Sequence, residues 1–356
     1  CNLRCSYCVF DDNYENERSH SSKKISIDLA KKSIDDFLIR TSNEAYIIFY
    51  GGEPLLEFKS IKTLTDYAKT KFNNSIKFSF TTNGMALTAD KFDFLIENSF
   101  LISVSIDGEK TLHDKNRITI NGNPSWDTIM SNLQKLHDYN PGFYKSNIQF
   151  NSVIDSLDNI SFINEALSNN PLVANQEIRF SFKLQDNIAQ NKKYNEFTSN
   201  NYKKLLDVFY SNGFDKNLVE KDRLLNFVKK IAFRNIGKEA QNGKKKCIPF
   251  SNRTYVRTNG DVQFCERISD YKRLANDDVV SNSLNIQHEF YKNKGVFCEK
   301  CLAYNFCEMC PASFYYDGVF SDNHFDICNN YINEFKNALK LYLDLSEKKV
   351  NFTEIN

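Results

Sequence analysis

Residues 76–106, IKFSFTTNGMALTADKFDFLIENSFLISVSI, contain two β-rich runs with one helical segment between them. The β-rich runs occupy 76–81 and 101–106, and a helix-like spacing of apolar residues occupies 88–98. Two strands joined by such a helix lie parallel in one sheet, because the crossover returns the chain to the end where it started. This stretch therefore predicts one unit of a parallel α/β fold.

The same alternation extends outward from this unit. Further helices are predicted at 27–40, 60–72, 126–139 and 159–167, and further strands at 45–50, 148–154 and 178–184. The whole region then consists of five successive pairs, each a helix followed by a strand. Such a run predicts a parallel sheet that is either open or closed into a barrel.

The pattern changes beyond residue 184. Residues 196–236 are predicted to form two amphipathic helices, 237–246 is polar and basic like a linker, and a last helix is predicted at 329–345. The region between linker and last helix is rich in cysteines and turns. We therefore expect an α/β core at 1–195, a helical bridge and linker at 196–245, a cysteine-rich domain at 246–330, and a C-terminal helix and tail at 331–356.

Composition and charge exclude several classes of function. The 356 residues carry a formal net charge of +1, without the basic excess that nucleic acids or anionic membranes select. No stretch approaches the roughly 20 apolar residues of a membrane span, and none resembles a signal peptide. We therefore expect a cytoplasmic protein without nucleic-acid or membrane partners.

The ten cysteines fall into two groups, three in the first eight residues and seven after residue 246. Disulfide frameworks belong to small secreted domains, so this clustering indicates metal ligation instead. The stretch Cys1-Asn-Leu-Arg-Cys5-Ser-Tyr-Cys8 can wrap an iron–sulfur cubane and leave its fourth iron open. The alternative is zinc, which needs a fourth ligand, and His20 is the local candidate.

Polar motifs follow three of the predicted strands. Tyr50-Gly-Gly-Glu-Pro54 follows the first, Thr81-Thr-Asn-Gly84 the second, and Ser103-Val-Ser-Ile-Asp-Gly108 ends the third, with His113 to Arg117 directly after it. Paired glycines allow close approach of the backbone to a ligand, and a carboxylate can accept from an ammonium group. The alternative reading is ordinary turns and structural hydrogen bonds, which for His113 and Arg117 is as good as ligand contact.

CxxxCxxC with an aromatic residue, Tyr7, before its last cysteine resembles the radical S-adenosylmethionine (SAM) superfamily. The resemblance implies a partial (β/α)6 TIM-type barrel whose first strand precedes Cys1 and is missing from this chain. It also implies a [4Fe-4S] cluster that splits S-adenosyl-L-methionine into a 5′-deoxyadenosyl radical, with flavodoxin or ferredoxin as reductant. No acid or base is implied. The implied cofactor contacts are Tyr7, Gly51, Gly52, Glu53, Pro54, Asn83, Ser105, Asp107 and Asn151.

The C-terminal cysteines resemble the SPASM domain, an extension that carries auxiliary clusters. Their spacing is Cys247-x12-Gly260-x4-Cys265, then Cys298-x2-Cys301-x5-Cys307-x2-Cys310, then Cys328, with two residues after Cys307 where the family has three. The resemblance implies two auxiliary [4Fe-4S] clusters, an outer one on Cys298, Cys301, Cys307 and Cys328, and an inner one on Cys247, Cys265 and Cys310. The inner cluster lacks a fourth cysteine, so a substrate thiolate or another cap could complete it.

Radical SAM enzymes with this extension modify peptides and proteins. The resemblance thus implies an enzyme that oxidises a ribosomally made precursor peptide, forming a thioether or a carbon–carbon crosslink between side chains. The alternative within the family is anaerobic sulfatase maturation, which oxidises Cys or Ser to formylglycine. The alternative outside catalysis is an iron–sulfur electron carrier or a peptide-binding scaffold.

Overall fold

The computed structural model describes residues 1–8, 20–38, 44–72, 76–156, 159–182, 227–233, 254–263, 298, 300–307, 315–316, 319–320 and 325–352. The chain divides into two units. The first comprises Cys1–Lys183 with Val256–Asp261, and the second Leu184–Tyr255 with Val262–Asn356. The domain boundaries expected near residues 195 and 245 lie outside the described residues.

The first unit alternates helices and strands along most of its length. Its described elements are, in chain order, β1 (Leu3–Cys5), α1 (Ile27–Leu38), β2 (Ala45–Phe49), α2 (Phe58–Phe72), β3 (Ile76–Thr82), α3 (Phe92–Glu97), β4 (Leu101–Ser105), α4 (Lys110–Asn116), β5 (Arg117–Thr119), α5 (Trp126–Tyr139), α6 (Pro141–Asn147), β6 (Ile148–Ile154), α7 (Ile160–Asn169) and β7 (Ile178–Phe182). Single 3₁₀ turns at Pro54–Glu57 and Ala89–Lys91 precede α2 and α3.

A five-stranded parallel sheet forms the centre of this unit, in the order β2-β3-β4-β6-β7. All five predicted strands are confirmed, and β6 and α5 have the predicted bounds. The third predicted helix, 88–98, was too long, because residues 89–91 form the 3₁₀ turn and α3 covers only Phe92–Glu97. The pattern did not predict α4, β5 and α6, which are short elements of three to seven residues.

The two faces of the sheet differ in polarity, since alternate residues of a strand point to opposite sides. One face carries the fully buried core residues Phe78, Phe80, Ile102, Val104 and Phe150. Burial of each such side chain contributes about 1.5–3 kcal/mol. The other face is mostly polar in the middle of the sheet, where register pairs Thr81 with Ser103, Ser103 with Gln149, and Ser105 with Asn151. Such a face suits a ligand site.

The cysteine segment forms a separate two-stranded ribbon. β1 pairs antiparallel with β5, and this pairing places Cys5 opposite Arg117. The parallel sheet therefore has five strands among the described residues, and β1 is not a member of it. The strands agree with a partial barrel of the resembled type, with one strand fewer than six.

The second unit is described only in part. The helix α8 (Phe325–Glu347) is longer at both ends than the predicted 329–345. It packs with a helical segment at 227–232 and with Ala303 in a small apolar core that includes Phe335 and Leu341. Most of the two helices predicted at 196–236, and the linker at 237–246, lie outside the described residues. None of the described helices is long and apolar enough to cross a membrane.

A short hairpin, β8 (Tyr255–Val256) and β9 (Val262–Gln263), forms its own two-stranded sheet. Its turn, residues 256–261, belongs to the first unit. Gly260 has φ +90°, and a Cβ there would lie 3.0 Å from Cδ1 of Leu29 on α1. Glycine therefore suits this position for both backbone conformation and space.

Candidate functional site

The three N-terminal cysteines lie on one short, half-buried loop. Cys5 ends β1, and the backbone N–H of Cys8 donates to the Cys5 carbonyl at 3.0 Å, which closes a turn. In the described part of the chain, no three His, Cys, Asp or Glu side chains converge on a point that suits one metal ion. Cubane ligands bind separate corners, so they need not converge on a single point.

Ser6 anchors the middle of the loop to α4. Its backbone N–H donates to the Asn116 carbonyl at 2.9 Å, and its hydroxyl donates to Asn116 Oδ1 at 2.7 Å. Asn116 in turn donates to Asp155 Oδ2 at 3.3 Å. The loop is thereby fixed to the residue that follows β6.

Gly52 lies directly against Cys1. A Cβ at residue 52 would be 2.9 Å from the Cys1 nitrogen and 3.0 Å from its Cβ, closer than side chains normally pack. Gly51 has φ +150°, and a Cβ at residue 51 would meet no atom within 4 Å beyond its chain neighbours, so only backbone conformation favours glycine there. The Gly-Gly-Glu loop thus reaches the cysteine loop through Gly52.

Glu53 joins this loop to the turn after β3. Its Oε1 accepts from the Leu55 N–H at 3.0 Å and from the Thr82 hydroxyl at 2.8 Å, and its Oε2 accepts from the Asn83 N–H at 2.7 Å. Burial raises the pKa of Glu53, and the three donors partly oppose this rise. The carboxylate also caps the 3₁₀ turn that starts at Pro54.

Asn83 brings an amide to the first cysteine. Its Nδ2 donates to Asn2 Oδ1 at 2.7 Å and lies 3.8 Å from Cys1 Sγ, while its Oδ1 accepts from the Met85 N–H at 3.0 Å. Gly84, with φ +81°, provides the turn that follows. Cys1 is therefore contacted by residues that follow two different strands.

Asp107 is the centre of a buried polar network behind the loop. Its Oδ2 accepts from the Tyr7 hydroxyl and from Arg117 Nε, the latter at 2.9 Å, and its Oδ1 accepts from the Val153 N–H at 2.9 Å. Burial raises the pKa of Tyr7 well above its usual value, so this hydroxyl remains a donor. Burial also raises the pKa of the Cys5 thiol, and the nearby Arg117 charge opposes that rise.

His113 extends the network as a neutral imidazole. Its Nδ1 accepts from the Asp107 N–H at 3.3 Å. Its Nε2 donates to Ser125 Oγ at 3.0 Å, because the Ser125 hydroxyl is itself used to donate to the Arg117 carbonyl at 2.6 Å. Burial lowers the pKa of His113 to about 4. His113 and Arg117 thus make the structural hydrogen bonds that the sequence left open.

Ser105 and Asn151 are adjacent on the polar face of the sheet, and both are half-buried. Within the described residues, neither the Ser105 hydroxyl nor the Asn151 side-chain amide makes a hydrogen bond. Because both side chains are half-exposed, water or a ligand can reach them.

The described C-terminal cysteines lie on a tightly turned segment and on α8. Cys301 N–H donates to the Cys298 carbonyl at 3.0 Å, and Cys307 N–H donates to the Tyr304 carbonyl at 3.3 Å. Cys328 lies in the first turn of α8, and Tyr331 in the next turn donates to the Phe306 carbonyl at 2.8 Å. Cys247, Cys265 and Cys310 lie outside the described residues.

Several residues of the site were not anticipated from sequence. Asn2, Ser6, Thr82, Asn116 and Ser125 each make hydrogen bonds that fix the loops described above. Only Ser125 has a sequence signal, since serine before a helical segment is a common N-cap. In the structure its side chain bonds to Arg117 and His113 instead.

Sequence comparisons relate part of this chain to known proteins. Residues 1–148 match the family model described as Radical SAM superfamily. The cysteine-type anaerobic sulfatase-maturating enzyme of Clostridium novyi is 32% identical over 143 residues, 39% of this chain and 38% of that protein. The radical SAM cyclopropyl synthase TigE of Paramaledivibacter caminithermalis is 25% identical over 290 residues, 78% of this chain and 57% of that protein. This chain thus matches less than two thirds of either relative.

Comparison with solved structures supports the fold. Native anSMEcpe with bound AdoMet has a TM-score of 0.72 at 22% identity, covering 98% of this chain and 96% of that chain. The same protein with AdoMet and the Kp18Cys peptide has a TM-score of 0.71. Over residues 1–148, which contain the cysteine loop and the Gly-Gly-Glu contact, the chain is therefore similar to the radical SAM superfamily, a family whose members use a [4Fe-4S] cluster and AdoMet.

Proposed function

We propose that this enzyme oxidatively modifies a side chain of a peptide or protein, using a [4Fe-4S] cluster held by Cys1, Cys5 and Cys8. The observation that carries the proposal is the contact of Gly52 with Cys1, which brings the Gly-Gly-Glu loop against one of the proposed cluster ligands. A small ligand bound beside this contact would meet the cluster and the Gly-Gly-Glu backbone together.

The chain's own residues fit AdoMet at this place. Ser105 and Asn151 supply polar groups that the described residues leave without a hydrogen bond. Gly51 and Gly52 have no side chains, so a ligand can approach their backbone closely. Pro54 fixes the turn that follows them. Glu53 and Asp107 are engaged by protein donors, so we propose that they shape the cofactor site, with Tyr7 and Asn83 beside the cysteines. When bound, cluster and AdoMet supply reductive cleavage and abstraction of a hydrogen atom.

We further propose auxiliary clusters in the second unit. The outer one would use Cys298, Cys301, Cys307 and Cys328, and the turned segment and the first turn of α8 support this set. The inner one would use Cys247, Cys265 and Cys310, with a substrate thiolate or another group completing it. Such clusters would accept the electron left after substrate oxidation.

The first candidate substrate is a ribosomally made precursor peptide. A thioether forms when a cysteine S–H and an acceptor C–H together lose two hydrogens, one as an atom and one as a proton plus an electron. A carbon–carbon crosslink has the same balance. Two relatives support a reaction on peptides or carbon frameworks, since anSMEcpe binds the Kp18Cys peptide and TigE is named a cyclopropyl synthase.

The second candidate is conversion of Cys or Ser to formylglycine in a sulfatase. The observation favouring it is the 32% identity to the anaerobic sulfatase-maturating enzyme of Clostridium novyi. The residues described at the site are compatible with both reactions. We propose for either case a cytoplasmic enzyme reduced by flavodoxin or ferredoxin, with the domain divisions predicted from sequence.

Anaerobic reconstitution tests the cofactor assignment. With AdoMet and dithionite, the enzyme should release 5′-deoxyadenosine, whereas a variant with alanine at Cys1, Cys5 and Cys8 should release none. Iron content should be about 12 atoms per chain for three cubanes and about 4 for one. Intact clusters without 5′-deoxyadenosine would contradict the proposal.

Substrate choice is tested by mass spectrometry. The enzyme is incubated with short peptides encoded beside its gene and, separately, with a peptide carrying a sulfatase cysteine motif. Loss of two hydrogens from a neighbouring peptide supports crosslink formation, and replacement of the thiol by an aldehyde supports sulfatase maturation. Modification of neither peptide, with 5′-deoxyadenosine still formed, would reject both substrates.

A further inference from the structure

We propose that the two charges of the buried Arg117–Asp107 ion pair each shift the reduction potential of the cluster held by Cys1, Cys5 and Cys8, and that the two shifts balance. This rests on the proposed function of that loop. The two charges act in opposite directions, Arg117 favouring the reduced cluster and Asp107 disfavouring it. Neither residue need touch AdoMet for this role, so both are positioning residues.

The ribbon places the cation beside the cluster ligands. Arg117 is the register partner of Cys5 across the β1–β5 pair. Its guanidinium carbon lies 5.3 Å from the centre of the Tyr7 ring, and Tyr7 stands directly before Cys8. The guanidinium therefore lies beside the Tyr7 ring, on the residue that pairs with Cys5.

The anion is held at the same place by the fold. Asp107 Oδ2 accepts from Arg117 Nε at 2.9 Å and from the Tyr7 hydroxyl, while Oδ1 accepts from the backbone of Val153 on β6. Each of the two charges thus has a fixed position relative to Cys5. Neither can swing into solvent without breaking these bonds.

Burial makes both charges effective. The side chains are only 8% and 3% exposed for Arg117 and Asp107. Charges out of water interact more strongly than exposed charges, because little solvent screens them. Reduction adds one negative charge to a cluster, and nearby charge and burial are known determinants of its potential. Arg117 should therefore raise the potential and Asp107 should lower it.

The test measures the midpoint potential of the N-terminal cluster by titration of the reconstituted full chain, followed by electron paramagnetic resonance. Its signal is identified by the change that AdoMet causes. Arg117→Met should shift the equilibrium at least tenfold toward the oxidised form, about 59 mV lower for a one-electron couple. Asp107→Asn should shift it the other way, and the double variant should return to within threefold of the wild type.

The two variants should shift the midpoint potential in opposite directions. A merely structural role would not produce this result, because a loosened loop would not shift the potential in opposite directions for the two variants. Lys110→Met is the matched control: it also removes one cation, but from an ion pair with Asp127 whose side chains are 51% and 74% exposed. It should shift the equilibrium less than twofold. The proposal would be overturned if Arg117→Met and Asp107→Asn shifted the midpoint potential in the same direction. It would also be overturned if their shifts were no larger than that of the control.

The test still applies if one variant fails to take up the cluster. If Arg117→Met takes up no cluster, Asp107→Asn and the double variant carry the test, since the double variant buries no unpaired charge. Arg117→Lys should keep the potential near that of the wild type. If the wild type itself shows no AdoMet-responsive signal, the proposed function fails, and that outcome differs from an AdoMet-responsive cluster whose potential ignores both charges.

Discussion

Gly52 touches the backbone of Cys1 so closely that a Cβ on residue 52 would lie 2.9 Å from the Cys1 nitrogen. The obstructing atoms are backbone and Cβ, which cannot move aside as the end of a flexible side chain can. The absence of a side chain at residue 52 is therefore what lets the Gly-Gly-Glu loop and the cysteine loop occupy neighbouring space.

Gly52→Ala is expected to displace Cys1 and weaken the N-terminal cluster. The strain should cost about 1–3 kcal/mol, as extra methyl groups do in packed sites. Iron content and visible absorbance after reconstitution measure the effect. Gly142→Ala is the control, because its Cβ would meet only Asn140 Oδ1 at 3.5 Å. Equal iron content in the two variants would contradict the expectation.

The neutral His113 makes stability depend on pH. Burial holds its pKa at about 4 in the folded state, against 6.5 as its usual value. Below pH 6.5 the unfolded chain binds a proton that the folded chain refuses, so stability falls as pH falls, until about pH 4. Between pH 7.5 and pH 5.5, this residue should lower the free energy of unfolding by about 1.4 kcal/mol.

His113→Gln tests this dependence, since glutamine can still donate to Ser125. The variant should be less stable than the wild type at pH 7.5, but the difference should shrink by about 1.4 kcal/mol at pH 5.5. Urea unfolding of the reconstituted enzyme at both values measures it. His137→Gln removes an imidazole that is 42% exposed and serves as the surface control. A constant difference for His113→Gln would count against a buried neutral imidazole.

The strands were predictable because their physical signal is local. β6, for example, has the bounds that its β-rich run indicated, and its buried Phe150 and half-buried Asn151 follow from alternation of faces. The ends of strands also marked the motifs around Gly52, Asn83 and Asp107. Hydrophobic periodicity needs only neighbouring residues, and hence is readable from one sequence.

The connections between motifs were not predictable in this way. No residue near Glu53 in the sequence identifies the donors to its carboxylate. In the structure, Thr82 and Asn83 donate to it from 29 and 30 residues away. Asp107 likewise meets Tyr7 across 100 residues. The first pair depends on how β2 lies beside β3, and the second on how the cysteine loop lies against the residues after β4. No local pattern specifies which donor reaches which carboxylate.

Gly260→Ala should weaken the packing of the turn between β8 and β9 against Leu29 of α1. Its φ of +90° costs a residue with a side chain about 1–2 kcal/mol, and the new Cβ would press on Leu29. The N–H groups of Arg257 and Gly260, which donate to the Asp261 and Arg257 carbonyls, should then exchange faster with solvent.

Combining Gly260→Ala with Leu29→Ala separates the two causes. The double variant relieves the contact but keeps the backbone strain, so the two changes should couple by about 0.5 kcal/mol or more. Hydrogen exchange at Gly260 and Arg257 provides the local readout. Strict additivity would show that only backbone strain matters at residue 260.

Asn151→Ala should weaken AdoMet binding without loss of stability. The amide makes no hydrogen bond within the described residues, so its removal leaves no described partner unsatisfied, whereas one lost bond to the cofactor is worth about 0.5–1.5 kcal/mol. The dissociation constant should rise about 3–10-fold, as measured by equilibrium binding to the reconstituted, unreduced enzyme.

Gln149→Ala is the matched control on the same face of β6. Gln149 donates a hydrogen bond to Ser103, so its loss should lower the free energy of unfolding by about 1–3 kcal/mol. The dissociation constant for AdoMet should stay within twofold of the wild-type value. If Asn151→Ala lowers stability as much as Gln149→Ala and binds AdoMet as the wild type does, the amide serves the fold and not the cofactor.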